Sequence, residues 1–306
     1  MSLSLAIDIG GTKAESALVA SDGTVLADSR FRAPTGPDCS PSNLAEILTR
    51  LVVQALETVP VGHVIRGVGI GTAGPINRPE GSMSPLNMPR LANFELVKAV
   101  ARTLPVGTPI HFALDGTCIA LAEAEFGAAQ GVSDVVCMIV STGIGGGVFS
   151  AGRIVLGAHG NAGHVGQLVI DGAGNEHGEA PRTLEAIASG PNSVAWARTR
   201  GWRGDTGEQL ARDALAGAVI ARGAIERSAS AVGAAVASLC SILDIELAVI
   251  GGGFSFVSED YVDLVQASAR RVAELPAARN VRVVRAALGA DAPLVGAAQL
   301  LRTGVG

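Results

Sequence analysis

Two carboxylates and three glycine turns are the residues of this chain best suited to chemistry. Asp8 lies near the end of the apolar run Leu3-Ser4-Leu5-Ala6-Ile7-Asp8-Ile9 and just before Gly10-Gly11-Thr12-Lys13. Asp115 closes a second run, Ile110-His111-Phe112-Ala113-Leu114. The other two turns are Thr142-Gly143, inside Ser141-Thr142-Gly143-Ile144-Gly145-Gly146-Gly147, and Gly251-Gly252-Gly253. A turn without Cβ atoms lets backbone N–H groups close on a phosphate. Phosphoryl transfer needs that kind of positioning and charge neutralisation more than it needs covalent chemistry. On this reading Gly10, Gly11, Thr12, Thr142 and Gly143 hold phosphates, and Gly251, Gly252 and Gly253 let a flat base approach the backbone. Asp8 holds Mg²⁺, directly or through water. Asp115 takes the proton of an attacking hydroxyl. Lys13 is grouped with the phosphate residues by its place on the turn. It lacks the G-x-x-x-x-G-K spacing of a P-loop lysine, and a solvated strand lysine is the plain alternative.

These residues need strands to carry them. Apolar, β-branched runs enter and leave both Gly10-Gly11 and Thr142-Gly143, which predicts strand, tight turn and returning strand twice over. Asp22-Gly23 predicts a hairpin leading to a third strand at Thr24-Val25-Leu26, and Ala151-Gly152 one leading to Arg153–Leu156. Two copies of one pattern predict an internal duplication, with two similar lobes facing each other across a cleft. The expected division is a first lobe over 1–117, with a C-terminal helix at 291–306 packing back on it, and a second lobe over 118–290. Helices are expected over Asn43–Val53, Phe94–Leu104, from Thr117 onward, over Glu208–Leu215 and Ile225–Leu243, and over Pro293–Leu301. Asp115 then sits at the C-terminal end of a strand, the edge where open α/β sheets bind ligands.

Bland readings stand beside these. Asp115 can cap the helix that follows, and Asp8 can stabilise a turn. Gly145-Gly146-Gly147 reads equally well as a bulge with close packing. His164 can be a satisfied loop histidine. Glu185 in an apolar helical stretch is costlier to explain away, because a lone buried carboxylate is unfavourable.

Composition narrows the classes. The chain has 306 residues, enough for two domains, and its high apolar and glycine content is that of a folded α/β protein. A net charge of −5 without a basic run argues against nucleic acid as a partner. Apolar stretches are too short to span a membrane. Cys39, Cys118, Cys137 and Cys240 are far apart and read as free thiols, so a cytoplasmic location is expected.

Taken together, Asp8-Ile9-Gly10-Gly11-Thr12-Lys13, Gly71-Thr72-Ala73-Gly74-Pro75, Ser141–Gly147, Ala162-Gly163-His164, Leu184–Gly190 and Val249–Gly253 resemble the ROK family of sugar kinases and repressors in order and spacing. The resemblance implies the two-lobed actin/hexokinase-like, ribonuclease H-like α/β fold, with ATP and Mg²⁺ used to phosphorylate a sugar hydroxyl, O6 being the expected one. It places Gly74, Asn87, Asp115, His164 and Glu185 at the sugar, with Asp115 as catalytic base, and it implies a homodimer or higher homo-oligomer. Within the family the pattern points to N-acetylmannosamine. Glucose or an unusual amino sugar or cyclitol is the alternative. A sugar-binding protein without catalysis is a further one. A regulator is disfavoured because the first strand begins near Leu3. Two departures bear on this. Many members bind zinc through a Cys-x-Cys-Gly-x-x-Gly-Cys run; the corresponding Glu176–Thr183 has no cysteine, so no structural zinc is expected, and a different metal site at Glu176 and His177 is a minor alternative. The family's usual Asn-Asp at the catalytic position reads Leu114-Asp115 here, which removes one amide partner for the sugar.

Overall fold

Both expected strand–turn–strand units form, and each begins a five-stranded sheet. The computed structural model describes residues 2–171 and 182–304. Contacts group the chain into two units, one of residues 1–127, 155–163 and 290–306, the other of 128–154 and 164–289.

In the first unit β1 (Ser2–Ile9) pairs antiparallel with β2 (Lys13–Ala20), which pairs with β3 (Phe31–Pro34). Helix α1 (Pro41–Glu57) leads to β4 (Val64–Thr72), parallel to β1. A small hairpin, β5 (Ile76–Asn77) and β6 (Ser82–Met83), and helix α2 (Leu96–Ala101) precede β7 (Ile110–Leu114), parallel to β4. The order is β3-β2-β1-β4-β7. Helix α3 (Asp115–Phe126) follows directly.

Three expectations shift here. The third strand is Phe31–Pro34, not Thr24–Leu26. Val25 makes a single bridge to Val19, after which a 3-10 turn at Ala27–Ser29 interrupts the ladder. There the Ser29 hydroxyl accepts the Leu18 N–H at 2.8 Å in place of a strand. The helix expected over Phe94–Leu104 is only Leu96–Ala101. The helix after β7 begins at Asp115 itself, with Leu114 as its cap residue.

Helix α1 shows why the sequence forms this layer. Ser40 caps it through the Asn43 N–H, and Pro41 takes the first turn, where a missing N–H costs nothing. Leu44, Ile47, Leu48, Leu51, Val52 and Ala55 repeat at helical spacing and are all buried. Each large side chain contributes about 1.5–3 kcal/mol by leaving water. The last helix, α10 (Ala292–Thr303), returns to this unit and packs on α3 and β4. Glycine makes that approach possible: a Cβ on Gly296 would strike the Cys118 carbonyl, and one on Gly69 the Ala297 carbonyl. Helix α3 packs on α10, and the contacts group it, as far as Gly127, with the first unit.

In the second unit β8 (Val135–Val140), β9 (Ile144–Ser150) and β10 (Arg153–Ile154) form the antiparallel part. A small hairpin, β11 (Val169–Asp171) with β12 (Arg182–Thr183), precedes four helices, α4 (Leu184–Ala188), α5 (Gly190–Thr199), α6 (Gly207–Leu215) and α7 (Val219–Leu243). Strand β13 (Leu247–Gly251), helices α8 (Tyr261–Val272) and α9 (Pro276–Arg279), and β14 (Arg282–Arg285) complete it. Strands β13 and β14 are parallel additions beside β8, giving the order β10-β9-β8-β13-β14. Polarity and order repeat the first sheet strand for strand, which is the α/β, internally duplicated, ribonuclease H-like fold expected. All four cysteines are buried free thiols. No helix among the described residues is long and apolar enough to cross a membrane.

Candidate functional site

In the first unit the sheet brings two expected carboxylates to one edge. Asp8 is one residue from the end of β1, level with Gly71 of β4, and Gly71 is level with Ala113 of β7, two residues before Asp115. A Cβ built on Gly71 would stand 3.5 Å from Asp8 Oδ1 and 3.2 Å from Cys118 Sγ, so the bare glycine leaves space that the Asp8 carboxyl and the α3 thiol border. Both carboxyls are half-buried and harder to ionise than usual. Burial, then the neighbouring Asp115 and Glu15, pushes Asp8 up to about 8, against the pull of Lys13 and Arg30. Burial pushes Asp115 up to about 6, opposed by the Gly116 N–H, which donates to its Oδ1 at 2.7 Å. Burial and these two carboxylates push the Cys118 thiol well above its ordinary value.

The Gly10–Lys13 turn lies at the same edge. Gly10 N–H donates to the Lys13 carbonyl at 2.9 Å. Thr35 holds the turn from outside, its hydroxyl on the Gly10 carbonyl at 2.8 Å and its N–H on the Thr12 carbonyl at 3.0 Å. Thr12 and Lys13 are exposed. The Asn87 amide stands where a Cβ on Gly11 would go, so a residue expected at the sugar and one expected at phosphate are neighbours. Gly74 holds that loop in place, its carbonyl accepting the Leu86 N–H at 3.1 Å. Lys13 is not simply solvated: its ammonium pairs with Glu15, which is 2% exposed and also meets Arg30 at 3.0 Å and Arg32 at 2.7 Å. Burial alone would raise Glu15, but hydrogen bonds from Lys13 and Arg30 hold it below the usual range. Glu15 is the cross-strand partner of Asp8, a relation the sequence does not display without the register.

The second unit presents glycine and hydroxyl groups instead. Glu185, on the first turn of α4, accepts the Ile144 N–H at 2.7 Å through Oε2, and a Cβ on Gly143 would lie 2.8 Å from the same oxygen. Its carboxylate therefore braces the Thr142-Gly143 turn from beneath, and the exposed Thr142 hydroxyl is left at the surface. Glu185 also acts on His164. Burial pulls that imidazole below its ordinary value and Glu185 pushes the other way, so His164 is neutral at pH 7. Its Nε2 is buried and has no partner among the described residues, which leaves one polar atom able to meet a ligand. Glu176 and His177 lie outside the described residues.

Gly252 adopts φ +90°, and a Cβ there would lie 2.5 Å from the Val140 carbonyl oxygen. This close approach sets the Gly251–Gly253 turn against the end of β8. Gly253 and Thr142 open into one cavity of ≈ 550 Å³. Its apolar wall includes Pro191, Val194, Phe254 and Phe256, and Thr206 and Glu208 supply polar groups. These wall residues come from α5, α6 and the segment after β13, and no local motif marks them. The cavity suits a flat, largely apolar ring with a polar edge, beside a glycine turn with an exposed hydroxyl.

The ROK family pattern matches residues 4–303 of this chain. The chain is 34% identical to the N-acetylmannosamine kinase of Escherichia coli O157:H7 over 302 residues, 97% of each chain. It is 35% identical to that of Shigella flexneri, also over 97% of each. A ROK family glucokinase from Streptomyces griseus, solved with glucose and AMPPNP, superposes with a TM-score of 0.83 at 30% identity, over 99% of this chain and 100% of that one. The chain belongs to the ROK family and is a sugar kinase of that type.

Proposed function

We propose that this kinase uses ATP and Mg²⁺ to phosphorylate O6 of N-acetylmannosamine. The observation that carries the reading is Asp115, a half-buried carboxyl directly after strand β7 and raised to about 6, on the sheet edge that also carries Asp8. A group of that kind is neutralised by a proton at little cost, yet is ionised at neutral pH, as a general base must be. Asp115 accepts the proton of the sugar hydroxyl as its oxygen bonds to phosphorus and the bond to the leaving oxygen breaks.

The residues present fit the nucleotide and the metal. The bare backbone at Gly252 and Gly253, the exposed Thr142 and the cavity beside them accommodate a base and phosphates. Asp8 offers a hard oxygen donor. Mg²⁺ at a nucleotide is held by one or two carboxylates together with phosphate and water, which a single Asp8 oxygen suits. When bound, ATP supplies the phosphoryl group and Mg²⁺ neutralises its developing charge. Asn87, His164 through Nε2, and Glu185 orient the sugar, and Gly74 fixes the Asn87 loop. Leu114 is 2% exposed and packs in the core of its unit, so it offers the sugar nothing in place of an amide.

The identity to N-acetylmannosamine kinases favours that acceptor, and the likeness to the Streptomyces griseus glucokinase supports glucose as the second reading. ADP release across N-acetylmannosamine, N-acetylglucosamine, glucose, mannose, glucosamine, kanosamine and a valiolone-type cyclitol decides between them. Highest kcat/KM on N-acetylmannosamine supports the proposal, and highest on another member replaces the acceptor.

A further inference from the structure

A second cavity, of ≈ 360 Å³, lies in the first unit between the start of α1 and one face of α2. Its floor is apolar, with Ala45, Phe94 and Ala99. Its polar lining includes Asn93, Lys98 and Arg102. Lys98 is shared with Glu95 at 3.1 Å, an exposed pair of small worth that a stronger anion can displace. The Arg102 backbone N–H caps α2 on the Val100 carbonyl, and its guanidinium has no hydrogen-bond or ion-pair partner among the described residues. With Glu95 the only carboxylate in the lining, the opening carries a net positive charge.

The cavity wall is tied to the loop that carries Asn87. Asn93 N–H donates to the Ser84 hydroxyl at 2.8 Å. Phe94 and Met83 exchange backbone hydrogen bonds at 2.9 and 3.0 Å. Arg90 donates to the Asp38 carbonyl at 3.2 Å, joining the same loop to the segment before α1. Both ends of Ser84–Arg90 are therefore anchored on residues that border this cavity or adjoin it.

We infer that this cavity is a second ligand site, for a sugar phosphate. Arg102 and Lys98 recognise the phosphate, as a guanidinium and an ammonium do. Asn93 meets sugar hydroxyls, and the Phe94 floor takes the apolar face of the ring. A sugar kinase makes a ligand of this chemistry, so the site gives the product, or another sugar phosphate, a way to act on the Asn87 loop without competing with the sugar. The inference does not depend on which sugar is the acceptor.

Calorimetric titration tests it, with glucose 6-phosphate, N-acetylmannosamine 6-phosphate and inorganic phosphate as separate probes. Each is titrated into the wild-type chain, the K98A/R102A double variant and D115N. The expected result is that at least one hexose 6-phosphate binds the wild type and D115N alike, more tightly than inorganic phosphate does. The double variant should bind it at least about tenfold more weakly while keeping its kcat and KM in the absence of added phosphate ester. Which of the two esters binds better distinguishes the enzyme's own product from another source. Hexose phosphate binding unchanged in the double variant overturns the inference. So does equal affinity for inorganic phosphate, or no binding up to about 10 mM.

Discussion

The two sheets of this protein are one scaffold used twice, and their difference lies at matched positions. Asp8 of β1 is level with Glu15 of β2 and Gly71 of β4. Its counterpart Ile139 of β8 is level with Gly145 of β9 and Gly251 of β13. In each sheet a glycine leaves room beside that side chain: a Cβ on Gly71 would be 3.5 Å from Asp8 Oδ1, and one on Gly251 3.4 Å from Ile139 Cδ1. Backbone geometry is thus conserved between units while the chemistry is exchanged. The first unit has a carboxylate pair and, after its last strand, Asp115. The second has isoleucine and glycine there, and Ala286 follows its last strand. At these matched positions one copy has carboxyls, and the other has isoleucine and glycine near a cavity with an apolar wall.

Exchange at the matched position gives the largest break. Asp8→Ile, which copies the second unit's residue into the first, should lower kcat by about a hundredfold or more through loss of the oxygen donor offered to Mg²⁺. The melting temperature should hold or rise, because an unfavourable buried carboxyl is removed. Unchanged turnover would mean that the carboxyl at this position has no part in the reaction.

Gly252→Ala acts on the second copy. It forces a positive φ on alanine and drives a Cβ into the Val140 backbone, and should cost about 2 kcal/mol or more in thermal or denaturant unfolding. A shift no larger than that of an exposed Gly201→Ala, where a Cβ meets nothing within 4 Å, would contradict the close approach.

The carboxyls also sharpen the contrast through pH. Asp8 and Asp115 bind protons more tightly folded than unfolded, so the folded state holds the extra protons between their ordinary value of 3.8 and about 8 and 6. These two groups make stability fall as pH rises through that window. Asp8→Asn should flatten the fall measured in unliganded protein, while Glu208→Gln, in the second unit, should leave it in place.

The smallest effect is expected at the cavity rim. Phe256 is 56% exposed and lies under the Arg285 guanidinium at 4.7 Å. Phe256→Ala should raise the KM for ATP several-fold, up to about tenfold, with kcat held. A fall in kcat with an unchanged KM would place Phe256 outside the donor site.

The sequence made visible what local rules control. Glycine between β-branched runs marks the turns at Gly10 and Thr142, and a carboxylate after an apolar run marks Asp115. Registers and long-range packing escaped it. Nothing local distinguishes Val25, whose strand stops after one bridge because Ser29 takes the Leu18 N–H, from a strand residue that continues. Glu15 looks like a surface carboxylate until β2 turns it inward among Lys13, Arg30 and Arg32. Thr35 reads as loop, yet it clasps the first glycine turn. Glu185 reads as a buried helical acid, but the structure shows it half-buried and bonded to the turn of Thr142 and Gly143. The Phe254 and Phe256 wall is assembled only by the fold.

The central claim is that the first unit supplies the base through Asp115. Its most direct test is sugar-dependent ADP release by Asp115→Asn beside wild type, with sugar affinity measured calorimetrically on both. The account predicts a fall in kcat of about 10²–10⁴-fold with sugar affinity nearly intact, and a wild-type rate that declines as pH drops below about 6. Turnover within a few-fold of wild type, with the same pH profile, would contradict it.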